Sequence, residues 1–232
     1  MVSTIANSRG IFSLMVVGLL AIGLTGCDEK MPMWTGLGTP PTVLPGVTSP
    51  SDRIKSLKEL AQKAPTTTDQ GIREMVCADL ARQIYKEPDS IIRSEILRTL
   101  AAYGGVTASK VLHVAAKDPD ADVRVIVCEL WGRRTDAEAA QVLGTMLTSD
   151  ADKDVRLAAA RALGHSHDPS AVQALGTALN DTDPAMQNRA MVALHETTGK
   201  EFGLDVDRWQ QFVKTGQARE DTAMQRIFGW YH

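Results

Sequence analysis

The sequence predicts an all-α protein: a short right-handed α-solenoid of about four helical hairpins, closed by a capping helix at each end. Three observations predict it. Apolar residues recur at i, i+3, i+4, i+7 and i+8, the spacing of one helix face. That face returns every 31 or 32 residues, a period that belongs to stacked repeats. Aspartate and glycine punctuate the copies where helices should begin and end. Composition agrees, since 44% of the 232 residues are hydrophobic, 23% are charged and the formal net charge is −3. Such a chain is globular, which excludes a collagen, a disulfide-dense miniprotein, a multispan membrane protein and a wholly disordered polymer. Near-neutral charge argues against a nucleic-acid binder, and an aromatic content of 5% favours close-packed Ala/Leu helices.

Taken in order, residues 1–26 read as a signal peptide. Residues 11–24 are apolar apart from Ser13. As a helix they would span about 21 Å, short of a hydrocarbon core of about 30 Å, so they predict a signal-peptide core instead of a membrane span. Leu24-Thr25-Gly26-Cys27 follows and resembles the lipobox of bacterial lipoproteins. The resemblance implies diacylation of Cys27, removal of residues 1–26 and an anchor on the extracytoplasmic side of a membrane, inner or outer left open. Residues 27–50 contain five of the ten prolines and predict a tether. Residues 51–73 predict an N-terminal capping helix, with Ile54, Leu57 and Leu60 on one face and Pro65 ending it.

Residues 74–199 predict the four repeats. Second-helix stripes begin at Ile92, Val123, Val155 and Met186, and first-helix stripes at Cys77, Ala108, Ala139 and Ala171. Asp89, Asp120, Asp152 and Asp183 stand three residues before the second-helix stripes, as N-caps should. Arg93, Arg124 and Arg156 recur one position after the stripes begin, with Gln187 in the fourth copy. Asp152-Lys153-Asp154-Val155-Arg156, continued by Leu-Ala-Ala-Ala-Arg-Ala-Leu to Gly164, resembles the second helix of bacterial HEAT repeats, including the HEAT-like repeats of phycobilin lyases. The resemblance implies a ladder of hydrogen bonds between neighbouring repeats, built by Asp89, Asp120 and Asp152 with Arg93, Arg124 and Arg156. Residues 200–232 predict a C-terminal cap and tail, in which Asp205 starts a helix carrying Trp209 and Phe212 on one face. Phe228-Gly229-Trp230-Tyr231 either folds back or serves as a docking peptide.

Chemistry is sparse. His165, His167 and Asp168 share a loop, too few ligands for a metal site, so no metal is expected. Cys77 and Cys128 occupy apolar helix positions and read as buried, unbonded thiols. No phosphate loop, nucleophile elbow or zinc-protease motif occurs, so neither a catalytic residue nor a cofactor is expected and the chain is read as no enzyme. Arg98, Glu129 and Arg161 align on the outward side of the second helices and form the expected partner-binding row of a concave face. The function read from the sequence is a membrane-tethered, non-catalytic scaffold or adaptor of the bacterial cell envelope. It would bind an unidentified protein, and a membrane through its lipid, but no nucleic acid. The alternatives are a lyase or chaperone-type enzyme, as the repeat resemblance implies, and a structural spacer of the envelope.

Overall fold

Helix starts in this chain are written in aspartate. The computed structural model describes residues 49–217, which lie within one compact unit. The signal sequence, Cys27, nearly all of the tether and residues 218–232 fall outside the described residues. Among the described residues ten α-helices follow one another: α1 (Pro50–Lys63), α2 (Gln70–Ile84), α3 (Ser90–Tyr103), α4 (Gly105–Ala115), α5 (Ala121–Trp131), α6 (Ala137–Ser149), α7 (Lys153–Leu163), α8 (Pro169–Ala178), α9 (Pro184–Thr198) and α10 (Val206–Thr215). An aspartate side chain accepts backbone N–H bonds at the start of every one except α1, capped by Ser49, and α4, preceded by Gly104. Each cap satisfies N–H groups that the first helical turn leaves free. Among the described residues no helix is long and apolar enough to cross a membrane.

The helices stack in two layers. The second-helix layer is continuous, α3 on α5, α5 on α7 and α7 on α9, while α2, α4, α6 and α8 form the first-helix layer. The predicted stripes face the space between the layers: Val123, Val127, Leu130 and Trp131 of α5 are buried, as are Val155, Ala159, Ala162 and Leu163 of α7. Alanine at two of the four α7 positions lets the helices approach closely, and valine, leucine and Trp131 fill the remaining space. At the C-terminal end α10 closes the stack as expected. Trp209 and Phe212 are buried against Phe202, with ring centroids 4.7 Å apart for Phe202 and Trp209, and the indole N–H donates to the Gly203 carbonyl at 3.0 Å. A methyl group on Gly176 of α8 would come within 2.5 Å of Val213 on α10, so the absence of a side chain there sets how near the cap can lie.

The other end differs from a generic cap. α1 packs on α3 and so belongs to the second-helix layer. Tyr103 and Thr99 on α3 donate to the carbonyls of Leu60 and Leu57 on α1. Four residues after its Ser49 cap, α1 carries Arg53, which pairs with Glu87. Arg93 and Arg124 likewise stand four residues after their caps, so α1 is half of an additional repeat.

The ladder also needs a correction. Its arginines are those expected, but the carboxylates facing them are not Asp89, Asp120 and Asp152. Arg93 grips Asp118 with two bonds of 2.8 Å, and Arg124 grips Asp150 with bonds of 2.8 and 2.9 Å. Each arginine also donates to a carbonyl in the loop that leads into its own helix, Pro88 for Arg93 and Asp118 for Arg124, both at 2.8 Å. The expected acids are occupied by capping: Asp152 accepts from Asp154 and Val155 N–H at 2.8 and 3.3 Å, and Asp89 from Ile91 and Ile92 N–H. The rung acid stands two residues earlier and accepts the N–H of the cap, Asp118 from Asp120 and Asp150 from Asp152, both at 2.9 Å. Arg156 retains only the carbonyl half of the pattern, on Asp150 and Ala151, while Asp183 pairs with Lys153. In the fourth copy Gln187 donates to the Asp181 carbonyl at 2.8 Å.

Candidate functional site: an interruption in the first-helix layer

Regular stacking fails at one place. α2 packs along α4 and α6 along α8, but α4 and α6 do not lie along one another. The local sequence accounts for it. α5 reaches α6, and α7 reaches α8, through connections of five residues, 132–136 and 164–168, whereas α3 passes into α4 through Gly104 alone. Gly104 and Gly105 have φ of 69° and 89°, backbone that residues with a Cβ rarely adopt. Gly105 stands where Asp136 and Asp168 cap the equivalent helices, so α4 begins without a side-chain cap. Thr107 donates instead to Glu74 on α2, which ties α4 to the neighbour before it.

Trp131 occupies the base of the interruption, at the position taken by Leu100, Leu163 and Leu194 in the other copies. Its ring is fully buried, edge-on to His113 at 6.3 Å and covered by the Arg134 guanidinium 4.4 Å from its centre. Arg134 is the bridge. It donates to Ser109 on α4 at 2.8 Å, to the α6 cap Asp136 at 2.8 Å and to Glu138 at 2.8 Å. Burial alone would lower the arginine's proton affinity, but the two carboxylates outweigh it and raise the net value, while Arg134 holds Asp136 below the usual carboxylate range. The Trp131 indole N–H is buried with no acceptor among the described residues.

The opening is a groove of about 1070 Å³. Ala101, Ala108, Leu112 and Leu130 line it together with Val106 and Val114 of α4, and Lys110, Arg133 and Arg134 supply positive charge. Val106 and Val114 are 67% and 55% exposed, two turns apart on one helix face. A second groove of about 500 Å³ runs on along α6 past Gln141, Thr145 and Met146, and His113 and Glu138 border both. The surface is apolar with a cationic border, which suits an amphipathic segment better than a small polar molecule.

The residues expected from sequence lie elsewhere. Arg98 is half-buried, with Nη1 3.6 Å from Glu95 of its own helix, and Glu129 and Arg161 are exposed; none of the three lines either groove. His165 and His167 are exposed, and Asp168 is engaged as the α8 cap. Among the described residues no group of three His, Cys, Asp or Glu side chains could hold a metal ion. Cys77 and Cys128 are buried free thiols, which burial pushes up to about 11 and about 12 respectively. Sequence reasoning passed over Arg133, Arg134 and Gly105, and reads Gly104 only as the cap that ends a second helix, which it is for α3. The available signal was a break in the repeat: Arg134 aligns with Tyr103 and Ser166, and Gly105 with two capping aspartates.

Comparison with known proteins agrees with this architecture. The family described as HEAT repeats matches residues 78–159 and 140–202, together more than half of the chain. No curated protein matches it. Among solved structures, human deoxyhypusine hydroxylase in complex with glycerol is similar at 22% identity and a TM-score of 0.48, over 53% of this chain and 44% of that one. An engineered protein is similar at 19% identity and a TM-score of 0.44, over 75% of this chain and 95% of the other. The chain thus corresponds to less than half the length of the hydroxylase.

Proposed function

Because the chain belongs to the HEAT-repeat family, whose architecture is a helical scaffold, we propose that it is a non-catalytic protein-interaction scaffold or adaptor tethered in the bacterial cell envelope. The observation that carries the reading is the groove between α4 and α6. Exposed valines grouped on one face of α4, beside Lys110 and Arg133, are the kind of surface that protein partners cover. The tether rests on the sequence: Leu24-Thr25-Gly26-Cys27 behind a short apolar run supports acylation at Cys27, and two or more acyl chains hold a protein stably on a bilayer. On this reading the membrane carries the chain through lipid, and the repeats meet a protein partner through the groove, through the row of Arg98, Glu129 and Arg161, or through both.

The test is chemical crosslinking in intact cells, followed by affinity capture and mass spectrometry. One abundant envelope protein is expected, and it should be lost in the Val106→Asp/Val114→Asp variant if the groove binds it. Loss on reversing the charges of Arg98, Glu129 and Arg161 would place the contact on the second-helix layer. Absence of any protein partner would overturn the adaptor and favour a spacer. Cys27→Ser should abolish acyl labelling and release the chain from membranes; membrane association that survives this change would refute the lipid anchor.

A further inference from the structure

We propose that the groove between α4 and α6 is the seat of the chain's own C-terminal segment, residues 218–232, docking in cis. Three observations lead there.

The first is the pattern of that segment. Met224, Ile227, Phe228 and Tyr231 fall at i, i+3, i+4 and i+7, one apolar helical face. Glu220 and Asp221 precede it. The apolar face is the complement of a groove lined by Ala108, Leu112, Leu130, Val106 and Val114. Charge is mixed on both sides, with Arg219 and Arg226 beside the acids of the segment and Glu138 beside Lys110 and Arg133 at the groove, so the apolar face carries the fit.

The second is direction. α10 runs antiparallel to α8: Gln210 donates to Asn180 just past the end of α8, while Val213 lies on Gly176 further back along it. α10 therefore delivers Gln217 toward the edge of the solenoid where first helices begin. The groove opens at that same edge, since Gly104, Gly105, Val106, Arg134 and Glu138 all border it.

The third is reach. From the α10 row to the interruption the chain must cross α8 and α6, about 25–30 Å at interaxial spacings of 8–10 Å. With the seven steps from Gln217 to Met224 extended and Met224 to Phe228 helical, the chain reaches about 29–31 Å. Phe228 and Ile227 can therefore reach the valines with the linker extended and the apolar face helical. A tether this short holds the segment at a high effective concentration, so a weak intrinsic affinity suffices to keep it seated. An outside partner for the same groove would have to displace it.

The experiment places a photoreactive group in the full chain, Phe228→p-benzoylphenylalanine, and maps the product by mass spectrometry at low and high protein concentration. Docking in cis predicts an intrachain crosslink on α4, or on residues 130–138, with a yield independent of concentration. Val106→Asp/Val114→Asp should lower that yield about tenfold or more. These positions are exposed, so the fold should survive, which unchanged thermal unfolding would verify. Arg161→Glu, outside the groove, should leave the yield unchanged. A crosslink between two chains, a crosslink to another part of the same chain, no crosslink, or a product insensitive to the valine changes would each overturn the proposal. Carried out on the purified full chain, the experiment has an outcome that does not depend on whether a partner protein exists or whether Cys27 is acylated.

Discussion

Asp150→Ala is the perturbation that best tests the corrected ladder. The side chain accepts two bonds from Arg124 and one from the Asp152 N–H, and the paired side chains are only 14% and 8% exposed. Removing it strands a guanidinium that water reaches poorly. Breaking a fully buried pair costs about 3–5 kcal/mol; partial access to solvent brings the expectation here to about 2–4 kcal/mol. For a domain of this size that is a fall in Tm of about 5–15 °C. Asp152→Ala removes only a helix cap and should cost about 1 kcal/mol. Urea denaturation of the full chain, with the Arg124→Ala/Asp150→Ala double-mutant cycle, measures both costs and the coupling. A coupling above about 1.5 kcal/mol is expected for such a pair. If Asp152→Ala costs as much as Asp150→Ala, or the coupling is below about 0.5 kcal/mol, the assignment of the rung acids is wrong.

Acid should expose the same carboxylates. Burial would raise Asp150, but bonds from Arg124 and the Asp152 N–H hold it low on balance, and Ser90 above all holds Asp120 low. A carboxyl depressed in the folded state contributes fully above its unfolded value of about 3.9 and loses that contribution as pH falls through the folded value; the urea midpoint should therefore be level from neutral pH to mild acid, drop below pH of about 4, and drop less in Asp150→Ala. Cys77 and Cys128, raised to about 11 and about 12, should react with iodoacetamide at mildly alkaline pH at least about a hundredfold more slowly in the native chain than in urea. Trp209→Ala should destabilise the C-terminal end by about 3–5 kcal/mol, read as lost hydrogen-exchange protection in α9 and α10 before the central repeats.

The parts of the fold legible in the sequence are those where one residue decides a local outcome. The aspartate caps and the apolar stripes required only helix geometry, and both lie where the spacing puts them. The rung acids were harder, because Asp118 and Asp120, or Asp150 and Asp152, are equivalent to a reader of spacing. Only the three-dimensional turn shows that one faces its own helix and the other faces an arginine of the preceding second helix. Arg53 was hidden by a longer connection: 40 residues separate it from Arg93, against 31 and 32 between the later arginines. The groove was illegible for a different reason. It arises from a missing contact between α4 and α6, and the sequence marks it only through what fails to recur at Gly104, Gly105 and Arg134.

The register of the ladder also says where one module of this protein ends and another begins. Cut at the hairpins, residues 105–135 would carry Arg124 and Asp118 but leave both of their partners behind. Cut from cap to rung acid, residues 120–150 carry Arg124 and Asp150 together, α5 and α6 complete, and the Asp136 cap. The same frame, residues 89–118, holds Arg93 with Asp118. The electrostatically self-sufficient unit is thus a second helix followed by the next first helix, offset by half a repeat from the hairpin that the eye picks out. Duplication, deletion or transplantation of repeats in that frame leaves both bidentate pairs intact, whereas the hairpin frame severs one at the junction before α4 and one at the junction before α6.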